Sequence, residues 1–384
     1  MSHLHFIEKL LDGVEVESVM LGELAENCDS MRKPIKSGLR ESGNIPYYGA
    51  SGIVDYVKEY IFDGDYLLVS EDGANLIARN TPIAFSISGK SWVNNHAHVL
   101  KFKTYEERRF VEIFLNSIDL TAYISGAAQP KLNKKSLNSI KIPIPCPDNP
   151  KKSLEIQAEI VRILDTFTEL TTALKAEFNM RKKQYSHYQF EMFKFTESTQ
   201  YLKIGECCDI KKGSTPIKKA TPGKYPLVAT TEERQSSSEY QFDCAAVCVP
   251  LISSRGHGIA SIDRIYFQEG QFALGNILCA IIPNDSGVLS AKFLRYYLFD
   301  KKDVLLVPLM RGGANVSLTV DSLKKVEIPI PPIADQKRIV RILDKFDELL
   351  KALPREIELR QKQYEYYRDL LFTVPKPQEV EVEV

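Results

Sequence analysis

The chain has 384 residues, of which 44% are hydrophobic and 26% are charged, with 20 glycines and 20 prolines. This length and composition are typical of a globular protein with room for two domains, and they exclude a disordered or fibrous chain. Its 50 basic and 50 acidic residues cancel, which excludes a protein that holds nucleic acid by net charge alone.

The chain start, MSHLHFIEKLL, interrupts its apolar residues with His5, Glu8 and Lys9, so it does not form the apolar core of a signal sequence. No later apolar run approaches the roughly 20 residues that cross a bilayer. We therefore predict a cytoplasmic protein with no membrane partner.

Residues 1–150 are predicted to form a first globular domain of mixed α and β structure. Its middle consists of apolar and β-branched runs separated by Gly and Asn turns, from GDYLLVSEDGANL to WVNNHAHVLKFK, which indicates several short strands. A short helical pattern, ERRFVEIFLNSI, follows, and a strand pattern, SLNSIKIPIP, ends at Pro145.

Residues 151–195 are predicted to form a first long helix of about 33 helical residues, or roughly 50 Å. Its apolar residues alternate at spacings of three and four, as in a coiled coil, with one extra step of four (a stutter) and Arg181 at one seam position. The predicted seam is Ile160, Ile163, Phe167, Leu170, Leu174, Phe178, Tyr185 and Tyr188.

Residues 196–332 repeat the first domain in the same order of segments. KIGECCDI at Lys203 matches MLGELAENC at Met20, and RGGANVSLTVDSL at Arg311 matches SGAAQPKLNKKSL at Ser125. The middles of the two domains agree much less, although both predict short strands. A period this long indicates a duplicated domain rather than a solenoid.

Residues 333–374 repeat the long helix, and residues 375–384, PKPQEVEVEV, are predicted to be a mobile tail. Pro354 is expected to kink this second helix or to weaken its pairing. The predicted seam, with the same stutter, is Ile339, Ile342, Phe346, Leu349, Leu353, Ile357, Tyr364 and Tyr367.

The two long helices predict an antiparallel coiled coil between two globular domains. Such pairing would give a pseudo-two-fold internal repeat and a near-circular chain path. The alternative is that each amphipathic helix packs only on its own domain. A narrow seam sustained over four heptads, on a helix too long for a domain of about 140 residues, favours the coiled coil.

Motifs for catalysis or cofactor binding are absent from the sequence. It has no phosphate-loop or dinucleotide glycine pattern, no G-x-S-x-G, no His-Glu-x-x-His and no Asn/Asp-Pro-Pro-aromatic turn of an amino-methyltransferase. Cys244 with Cys248, or His96 with His98, could hold a metal, but the cysteines favour an apolar core strand and no further ligand lies nearby. We predict a non-catalytic binding protein without a metal or cofactor of its own.

The duplicated IVRILDxFxEL…QYxxY helices, the tandem domains and the stretches GDYLLVSEDGANL, WVNNHAHVL and SGAAQPKL resemble the DNA-specificity subunit of type I restriction-modification systems. The resemblance covers nearly the whole chain. It implies that each domain is a target recognition domain for one half of a split, asymmetric sequence in double-stranded DNA, and that the helices set the spacing.

The same resemblance implies the partners of the chain. Two modification (methyltransferase) subunits would dock on the helices and bind S-adenosylmethionine. Restriction subunits would bind ATP and Mg and cleave DNA. Two rival hypotheses remain: a coiled-coil adaptor that joins two proteins without touching DNA, and an enzyme whose motif is not evident.

Base contacts are predicted from residue type, because Arg and Lys suit guanine, and Asn and Gln suit adenine. For each, the alternative is an ordinary surface or turn residue, and Asn94 and Asn95 could simply serve a buried turn. The candidates are Arg79, Asn94, Asn95, His96, Gln129 and Lys131 in the first domain, and Arg255, His257, Arg264, Arg311 and Asn315 in the second.

Overall fold

The computed structural model describes residues 13–78, 81–126, 130–217, 220–231, 235–254, 262–312 and 315–372. Internal packing divides the chain into two compact units. Unit 1 comprises Met1–Ala173 with Ile357–Val384, and unit 2 comprises Leu174–Glu356. Both divisions fall inside a long helix, so each helix contributes to both units. The predicted domain limits, which assign the long helices to separate spacers, stay a prediction.

Unit 1 is a mixed α and β fold, as the sequence predicts. Its helices are α1 (Leu21–Leu24), α2 (Gly73–Ala78), α3 (Tyr105–Ser117), α4 (Lys134–Asn138) and the first part of α5 (Pro150–Met192). Its strands are β1 (Val16–Met20), β2 (Glu26–Asn27), β3 (Ser42–Gly49), β4 (Gly52–Val57), β5 (Phe62–Asp63), β6 (Tyr66–Ser70), β7 (Ala84–Ile87), β8 (Lys90–Val93), β9 (Ala97–Lys101) and β10 (Lys141–Pro145).

The strands of unit 1 form two four-stranded sheets and one two-stranded sheet among the described residues. The sheet orders are β2-β9-β6-β7, β4-β3-β8-β5 and β1-β10. Every residue of β6 is buried, as expected for an apolar strand between two neighbours. Helix α3 begins at a capping box, in which the Thr104 side chain accepts from the Glu107 N–H and the Glu107 side chain accepts from the Thr104 N–H.

Unit 2 has the same plan. Its helices are the second part of α5, α6 (Ile204–Cys207), α7 (Ala291–Leu305), α8 (Val320–Lys324) and the first part of α9 (Ile333–Phe372). Its strands are β11 (Tyr201–Lys203), β12 (Cys208–Lys212), β13 (Tyr225–Val228), β14 (Gln235–Ser237), β15 (Phe242–Asp243), β16 (Ala246–Pro250), β17 (Ile252–Ser254), β18 (Tyr266–Gln268), β19 (Gln271–Leu274), β20 (Leu278–Pro283), β21 (Asn315–Ser317) and β22 (Glu327–Pro329).

Three of the sheets described in unit 2 repeat those of unit 1 strand for strand, with the orders β12-β20-β16-β18, β14-β13-β19-β15 and β11-β22. A fourth, the two-stranded sheet β17-β21, stands where unit 1 has an isolated bridge between Asp72 and Lys131. The parallel pair β3–β8, with Tyr47 opposite Trp92, recurs as β13–β19, with Leu227 opposite Ala273. The internal repeat is therefore confirmed at the level of topology, including the middles in which the two sequences diverge.

The repeated glycines Gly22 and Gly205 occupy equivalent close approaches. A Cβ at Gly22 would lie 2.9 Å from Cβ of Asn138, and a Cβ at Gly205 would lie 2.9 Å from Cβ of Lys324. In each unit, the first short helix thus touches the short helix before the last strand. Only glycine permits this contact without a shift.

Each unit completes its core with the end of the long helix that began in the other unit. In unit 1, Phe372 packs on Phe110 and Phe114, with ring centroids 5.0 and 5.3 Å apart. In unit 2, Phe193 packs on Phe293 and Tyr297 at 6.2 and 5.6 Å. The phenylalanines at positions 193 and 372 are therefore equivalent core residues.

The two long helices pair with each other inside each unit. Phe167 of α5 stacks on Tyr367 of α9 at 5.3 Å in unit 1, whereas Tyr188 of α5 packs on Phe346 of α9 at 5.5 Å in unit 2. Residue numbers rise along one helix as they fall along the other, so the pairing is antiparallel, as predicted.

Four predicted seam residues lie off the buried seam: Ile163 and Leu170 of α5, and Ile342 and Leu349 of α9. Leu170 and Leu349 are 40% and 42% exposed, whereas Thr171 and Leu343 are 6% and 0% exposed. The Thr171 hydroxyl donates to the Phe167 carbonyl at 2.8 Å, which satisfies it and lets the side chain face inward.

The buried pattern also removes the predicted stutter. Steps of four and three continue through buried or half-buried positions 160, 164, 167, 171, 174, 178, 181 and 185 of α5. The same steps continue through positions 339, 343, 346, 350, 353, 357, 360, 364, 367 and 371 of α9. Tyr188 lies on the same series but is 45% exposed, and Ile163 and Ile342 flank the seam as half-buried residues. The heptad register is therefore unbroken in both helices.

Both long helices exceed the predicted length. Helix α5 has 43 residues and α9 has 40, and α9 continues through Pro354 without ending. The proline is exposed on the helix surface. No helix in the described ranges carries an apolar stretch long enough to cross a membrane.

Cys248 confirms the core-strand interpretation of the apolar run CAAVCVP. It lies in β16 and is fully buried among apolar residues, while Cys244 precedes the strand. Among the described residues, no group of three or more His, Cys, Asp or Glu side chains could hold a metal ion.

Candidate nucleic-acid interface

Three segments of unit 1 that carry predicted base contacts meet at Glu71. The Glu71 N–H donates to the His96 carbonyl at 2.9 Å, and the Leu132 N–H donates to the Glu71 carbonyl at 3.0 Å. The Lys131 Nζ lies 3.3 Å from Glu71 Oε1. The turn after β8, the segment after β6 and the segment at 130–132 therefore form one surface, although up to 60 residues separate them in sequence.

The turn after β8 carries three predicted base contacts, of which one is buried and two are exposed. Asn94 is buried, and its Oδ1 accepts from the His96 N–H at 2.8 Å. Asn95 and His96 are exposed, and His96 Nδ1 lies 2.9 Å from Asp72 Oδ1. Asn94 thus shapes the turn, as its alternative interpretation held, and Asn95 with His96 are the side chains that a ligand could reach.

Glu71 is held between two cations, of which the sequence analysis identified only one. Arg32 Nη1 donates to Glu71 Oε2 at 2.9 Å and to the Ala97 carbonyl at 2.8 Å. Lys131, whose side chain is 40% exposed, forms an ion pair with the other carboxylate oxygen, Glu71 Oε1. Arg32 stood outside the candidates because its partners lie 39 and 65 residues away, and no local pattern marks it.

Two buried side chains, Asp29 and His98, support this surface from the interior of unit 1. Asp29 Oδ2 lies 2.6 Å from His98 Nδ1, and His98 Nε2 lies 2.6 Å from the Leu132 carbonyl, so both ring nitrogens face acceptors. Burial alone would raise the pKa of Asp29, but hydrogen bonds from His98 and Val99 and the Arg32 charge lower it. His98 thereby fixes the segment that carries Lys131. His96 and His98 contact different carboxylates, so they do not form the hypothetical metal pair.

The turn glycines of the two repeats behave alike. Gly126 and Gly312 have φ values of 96° and 133°, in the region that side chains rarely adopt. The backbone after each returns in antiparallel pairing, Ser125 with Lys131 in unit 1 and Arg311 with Ser317 in unit 2.

The candidates of unit 2 lie mostly beyond what the structure describes. Arg255 and His257, like Arg79 and Gln129 of unit 1, lie outside the described residues. Asn315 is described by its backbone alone, which pairs with Ser254 in the β17–β21 ribbon. Arg311 is exposed and donates to the Pro308 carbonyl at 2.8 Å, and Arg264 is half-buried.

The frame around Glu71 recurs in unit 2 with different side chains. The Leu251 N–H donates to the Ile277 carbonyl at 2.8 Å, and the Leu318 N–H donates to the Leu251 carbonyl at 2.8 Å. Leu251 therefore stands where unit 1 has Glu71, and Ser317 stands where unit 1 has Lys131. The same backbone presents a charged network in one unit and apolar and hydroxyl groups in the other.

A second exposed surface of unit 1 lies on the β3–β4 ribbon, which the sequence analysis did not single out. Strand β8 pairs only with Tyr47 and Tyr48 of β3, so the remainder of β3 pairs with β4 alone. Side chains 48 to 55% exposed project from β4 at Ile53, Val54 and Tyr56. A two-stranded ribbon has the dimensions to enter a DNA major groove, which is about 12 Å wide.

In unit 1, α3 meets α5 through a polar cluster that we call the unit 1 junction, formed by Tyr105, Arg109, Asp165 and Tyr364. Arg109 donates to Asp165 Oδ1 through Nε at 2.8 Å, and its Nη2 lies 2.7 Å from the same oxygen. The Tyr105 hydroxyl donates to Asp165 Oδ2 at 3.1 Å. Burial would lower the pKa of Arg109, but the Asp165 hydrogen bond and the charges of Glu112 and Asp165 raise it.

The unit 2 junction, formed by Lys292, Arg295, Tyr296, Asp344, Asp347 and Tyr185, joins α7 to α9 in the equivalent place. Lys292 Nζ lies 2.7 Å from Asp344 Oδ2, and the Tyr296 hydroxyl lies 2.8 Å from Asp344 Oδ1 and 3.0 Å from Asp347 Oδ2. Burial and these carboxylates raise the pKa of Tyr296. Burial, with the charge of Asp347, raises the pKa of Tyr185 to about 12.

The repeated sequence motifs of the long helices are the residues of these junctions. Asp165 and Phe167 belong to ILDTF, and Asp344 and Phe346 belong to ILDKF. In unit 2 the tyrosines of the QYxxY motif face that segment, since Tyr185 and Tyr188 lie 5.9 and 5.5 Å from Phe346. These motifs are evident in the sequence, but their apolar spacing indicates only a helix seam and not the junctions.

The sequence is similar to those of type I restriction enzyme specificity subunits. The family model described as the type I restriction modification DNA specificity domain matches residues 13–180 and again residues 197–359. A putative type I restriction enzyme specificity subunit of Haemophilus influenzae is 37% identical over 394 residues, covering 95% of this chain and 97% of that protein. The EcoR124I/EcoR124II specificity subunit of Escherichia coli is 34% identical over 417 residues, covering 99% of this chain and 100% of that protein.

Among solved structures, the S subunit of a type I restriction-modification system from M. genitalium has a similar fold. Its TM-score is 0.64 at 13% sequence identity, and the alignment covers 95% of this chain and 98% of that one. At this identity the similarity concerns the fold alone.

Proposed function

Because the chain belongs to the type I restriction modification DNA specificity family, we propose that it is the specificity subunit of such a complex and that each unit binds one half of a split, asymmetric DNA target. In this proposal the chain supplies sequence recognition and no catalytic group. The candidate contacts are Asn95, His96 and Lys131 in unit 1 and Arg311 in unit 2, with Arg79, Gln129, Arg255, Arg264, His257 and Asn315 retained as predictions.

The observation that carries the proposal is the repeated frame with unlike side chains. Glu71 with Lys131 in unit 1 becomes Leu251 with Ser317 in unit 2, while the backbone hydrogen bonds around them stay the same. Base edges are distinguished by donors, acceptors and methyl groups, so unlike side chains on one frame favour unlike half-sites.

The long helices would set the spacing of the half-sites. A helix of 43 residues spans about 64 Å, which exceeds the roughly 34 Å of one DNA turn. Two half-sites about one turn apart are therefore within reach. We further propose that the helices dock two modification subunits, which bind S-adenosylmethionine and methylate adenine, and that restriction subunits with ATP and Mg complete the complex.

The zero net charge fits an assembly in which partners share the phosphate contacts. A protein that neutralises phosphates alone gains affinity from an excess of Lys and Arg, which this chain lacks. We expect the isolated chain to bind DNA more weakly, and with a shallower salt dependence, than the complex with its modification subunits.

The test is single-molecule sequencing of adenine methylation in DNA from cells that express the chain with its methyltransferase partner. Cells with the partner alone are the control. A split motif that depends on the chain would give both half-sites and the gap together. If the partner is folded and bound but no chain-dependent motif appears, the adaptor hypothesis replaces this proposal.

A further inference from the structure

We propose that Asp165 and Asp344 are positioning residues that fix the angle between the globular part of each unit and its long helix, and thereby the permitted gap between half-sites. This inference rests on the proposed function. It concerns the repeated aspartate of ILDxF, which lies beside the buried seam residues Leu164 and Leu343 rather than on the seam itself.

The contacts of Asp165 are directional in a way that the neighbouring apolar contacts are not. Arg109 donates a hydrogen bond to Asp165 Oδ1 through Nε at 2.8 Å, and its Nη2 makes an ion-pair contact with the same oxygen at 2.7 Å. Tyr105 adds a second hydrogen bond, to Oδ2, at 3.1 Å. Apolar burial is non-directional, whereas a planar guanidinium fixes the direction of approach to a carboxylate. The pair therefore restricts rotation of α5 against α3, where apolar packing alone would tolerate it.

Partial burial of the Arg109–Asp165 pair strengthens its restriction of the rotation of α5 against α3. The side chains of Arg109 and Asp165 are 20% and 22% exposed, so solvent and salt screen their attraction less than they would for a surface pair. Asp344 is in a similar environment, with its side chain 29% exposed, and it receives Lys292 and Tyr296 from α7. The same helix position is thus restrained in both units by different donors.

Each long helix amplifies a change of angle at its junction. A rotation of about 5° moves a point about 40 Å along the helix by roughly 3.5 Å, which is close to the rise of one base pair. If the helices set the gap, loosening one junction broadens the set of gaps that the complex accepts. The half-sites stay the same, because the junction residues lie on α3, α5, α7 and α9 and not on the candidate DNA contacts.

The experiment uses the full chain in complex with its methyltransferase partner and DNA targets that keep both half-sites while the gap changes by one base pair at a time. The variant Asp165→Asn keeps the shape of the side chain and removes its charge. We expect methylation at gaps one base pair shorter or longer to rise about tenfold relative to the native gap, as the loss of one charge-assisted hydrogen bond implies. Asp344→Asn should act in the same direction.

Two further variants separate positioning from folding and from charge. Arg109→Lys keeps the charge but cannot bond through two nitrogens, so it should broaden the gap less than Asp165→Asn does. Glu159→Gln is the matched control, because among the residues that the structure describes Glu159 pairs only with Arg162 of the same helix, at 2.6 and 2.8 Å. It removes the same charge from α5 and should leave the gap profile unchanged.

Several outcomes would overturn the inference. They are an unchanged gap profile in both junction variants, an equal broadening in Glu159→Gln, an altered half-site, and loss of methylation at every gap by folded Asp165→Asn and Arg109→Lys. Failure of the proposed function is distinguishable, because the unsubstituted chain would then give no split motif at all.

Discussion

Asp29 supports the candidate surface of unit 1 from the interior, with a side chain that is only 8% exposed. It accepts from His98 at 2.6 Å and from the Val99 N–H at 2.9 Å, and its partner His98 holds the segment of Lys131. Because the pKa of Asp29 is lowered in the fold, its contribution to stability is present above pH 4 and is lost as the pH falls through the folded pKa.

We expect Asp29→Asn to lower the opening free energy of the β9 amides by about 3 kcal/mol, since it leaves His98 and Arg32 without their buried carboxylate. Hydrogen exchange resolved by peptide measures this as a rise of roughly a hundredfold in exchange rate. The control is Glu41→Gln, which breaks the exposed pair with Lys58 and should change stability by less than about 1 kcal/mol. Equal effects of the two variants would contradict the supporting role of Asp29.

Tyr185 gives unit 2 a dependence on alkaline pH. Burial and Asp347 raise its pKa to about 12, whereas an unfolded tyrosine titrates near 10. The folded unit keeps a proton that the unfolded chain releases, so this contribution is complete below pH 10 and is lost as the pH rises from 10 to 12.

We therefore expect Tyr185→Phe to flatten the loss of unit 2 stability between pH 10 and 12 by about 1–2 kcal/mol. Hydrogen exchange of the β16 and β20 amides across this interval is the measurement. Tyr240→Phe, at a tyrosine 47% exposed, is the control and should leave the slope as it is. If neither variant changes the slope of unit 2 stability against pH, Tyr185 is not the cause of the alkaline loss of stability.

The sequence could identify candidate residue types in unit 1 but not their partners. Lys131 and His96 were found because Lys, His and Asn in turns suit base contact. Arg32, Asp29 and the burial of Asn94 could not be found, since hydrogen bonds spanning 39 to 70 residues are set by the fold rather than by local spacing.

At the scale of elements, the long helices show why an apolar pattern can predict a helix correctly and still assign the wrong residues to its seam. Ile163 and Leu170 are as apolar as Leu164, and Thr171 is polar, so the pattern favoured the first pair and then required a stutter. The Thr171 hydroxyl donates a hydrogen bond to the Phe167 carbonyl of its own helix, so burying this polar group costs little free energy. The strand order, by contrast, could not be predicted from the sequence, because the parallel pair β3–β8 joins strands more than 40 residues apart.

An unbroken heptad register makes a deletion test of the spacing well defined. We expect removal of residues 171–177 from α5 together with 350–356 from α9 to shorten the permitted gap by about three base pairs, since seven residues span about 10.5 Å. The readout is adenine methylation on targets with graded gaps, and both half-sites should persist.

The matched control removes four residues from each helix, which breaks the register and should weaken pairing without giving a new, single gap. Altered half-sites at an unchanged gap would contradict the spacing role of the helices.

At the scale of the whole molecule, each unit is assembled from segments that are distant in sequence. Unit 1 closes with Tyr367, Leu371 and Phe372 from the end of α9, and unit 2 closes with Tyr185 and Phe193 from the end of α5. The duplicated helix motifs allowed the antiparallel pairing to be predicted. That the division between units lies within the helices could not be predicted from the sequence, because it depends on which core each side chain joins.

Removal of residues 357–384 should therefore destabilise unit 1 and leave unit 2 intact. The loss of buried Leu371 and of the half-buried Tyr367 and Phe372 implies at least about 3 kcal/mol, or roughly a hundredfold faster exchange of the β6 and β9 amides. Exchange in β16 and β20 should stay as it is. Removal of residues 375–384 alone is the control, and equal effects of the long deletion on both units would contradict this division.

The closing of unit 1 by Phe372 also has a consequence for synthesis on the ribosome. About 200 residues separate Ala173 from Phe372, and at roughly 5–20 residues per second their translation takes about 10–40 s. During that interval Phe167 of α5 lacks Tyr367, on which it stacks in the folded unit, and Phe110 and Phe114 lack Phe372. We expect a chaperone that holds apolar segments to bind nascent chains at this stage and to leave once α9 has emerged.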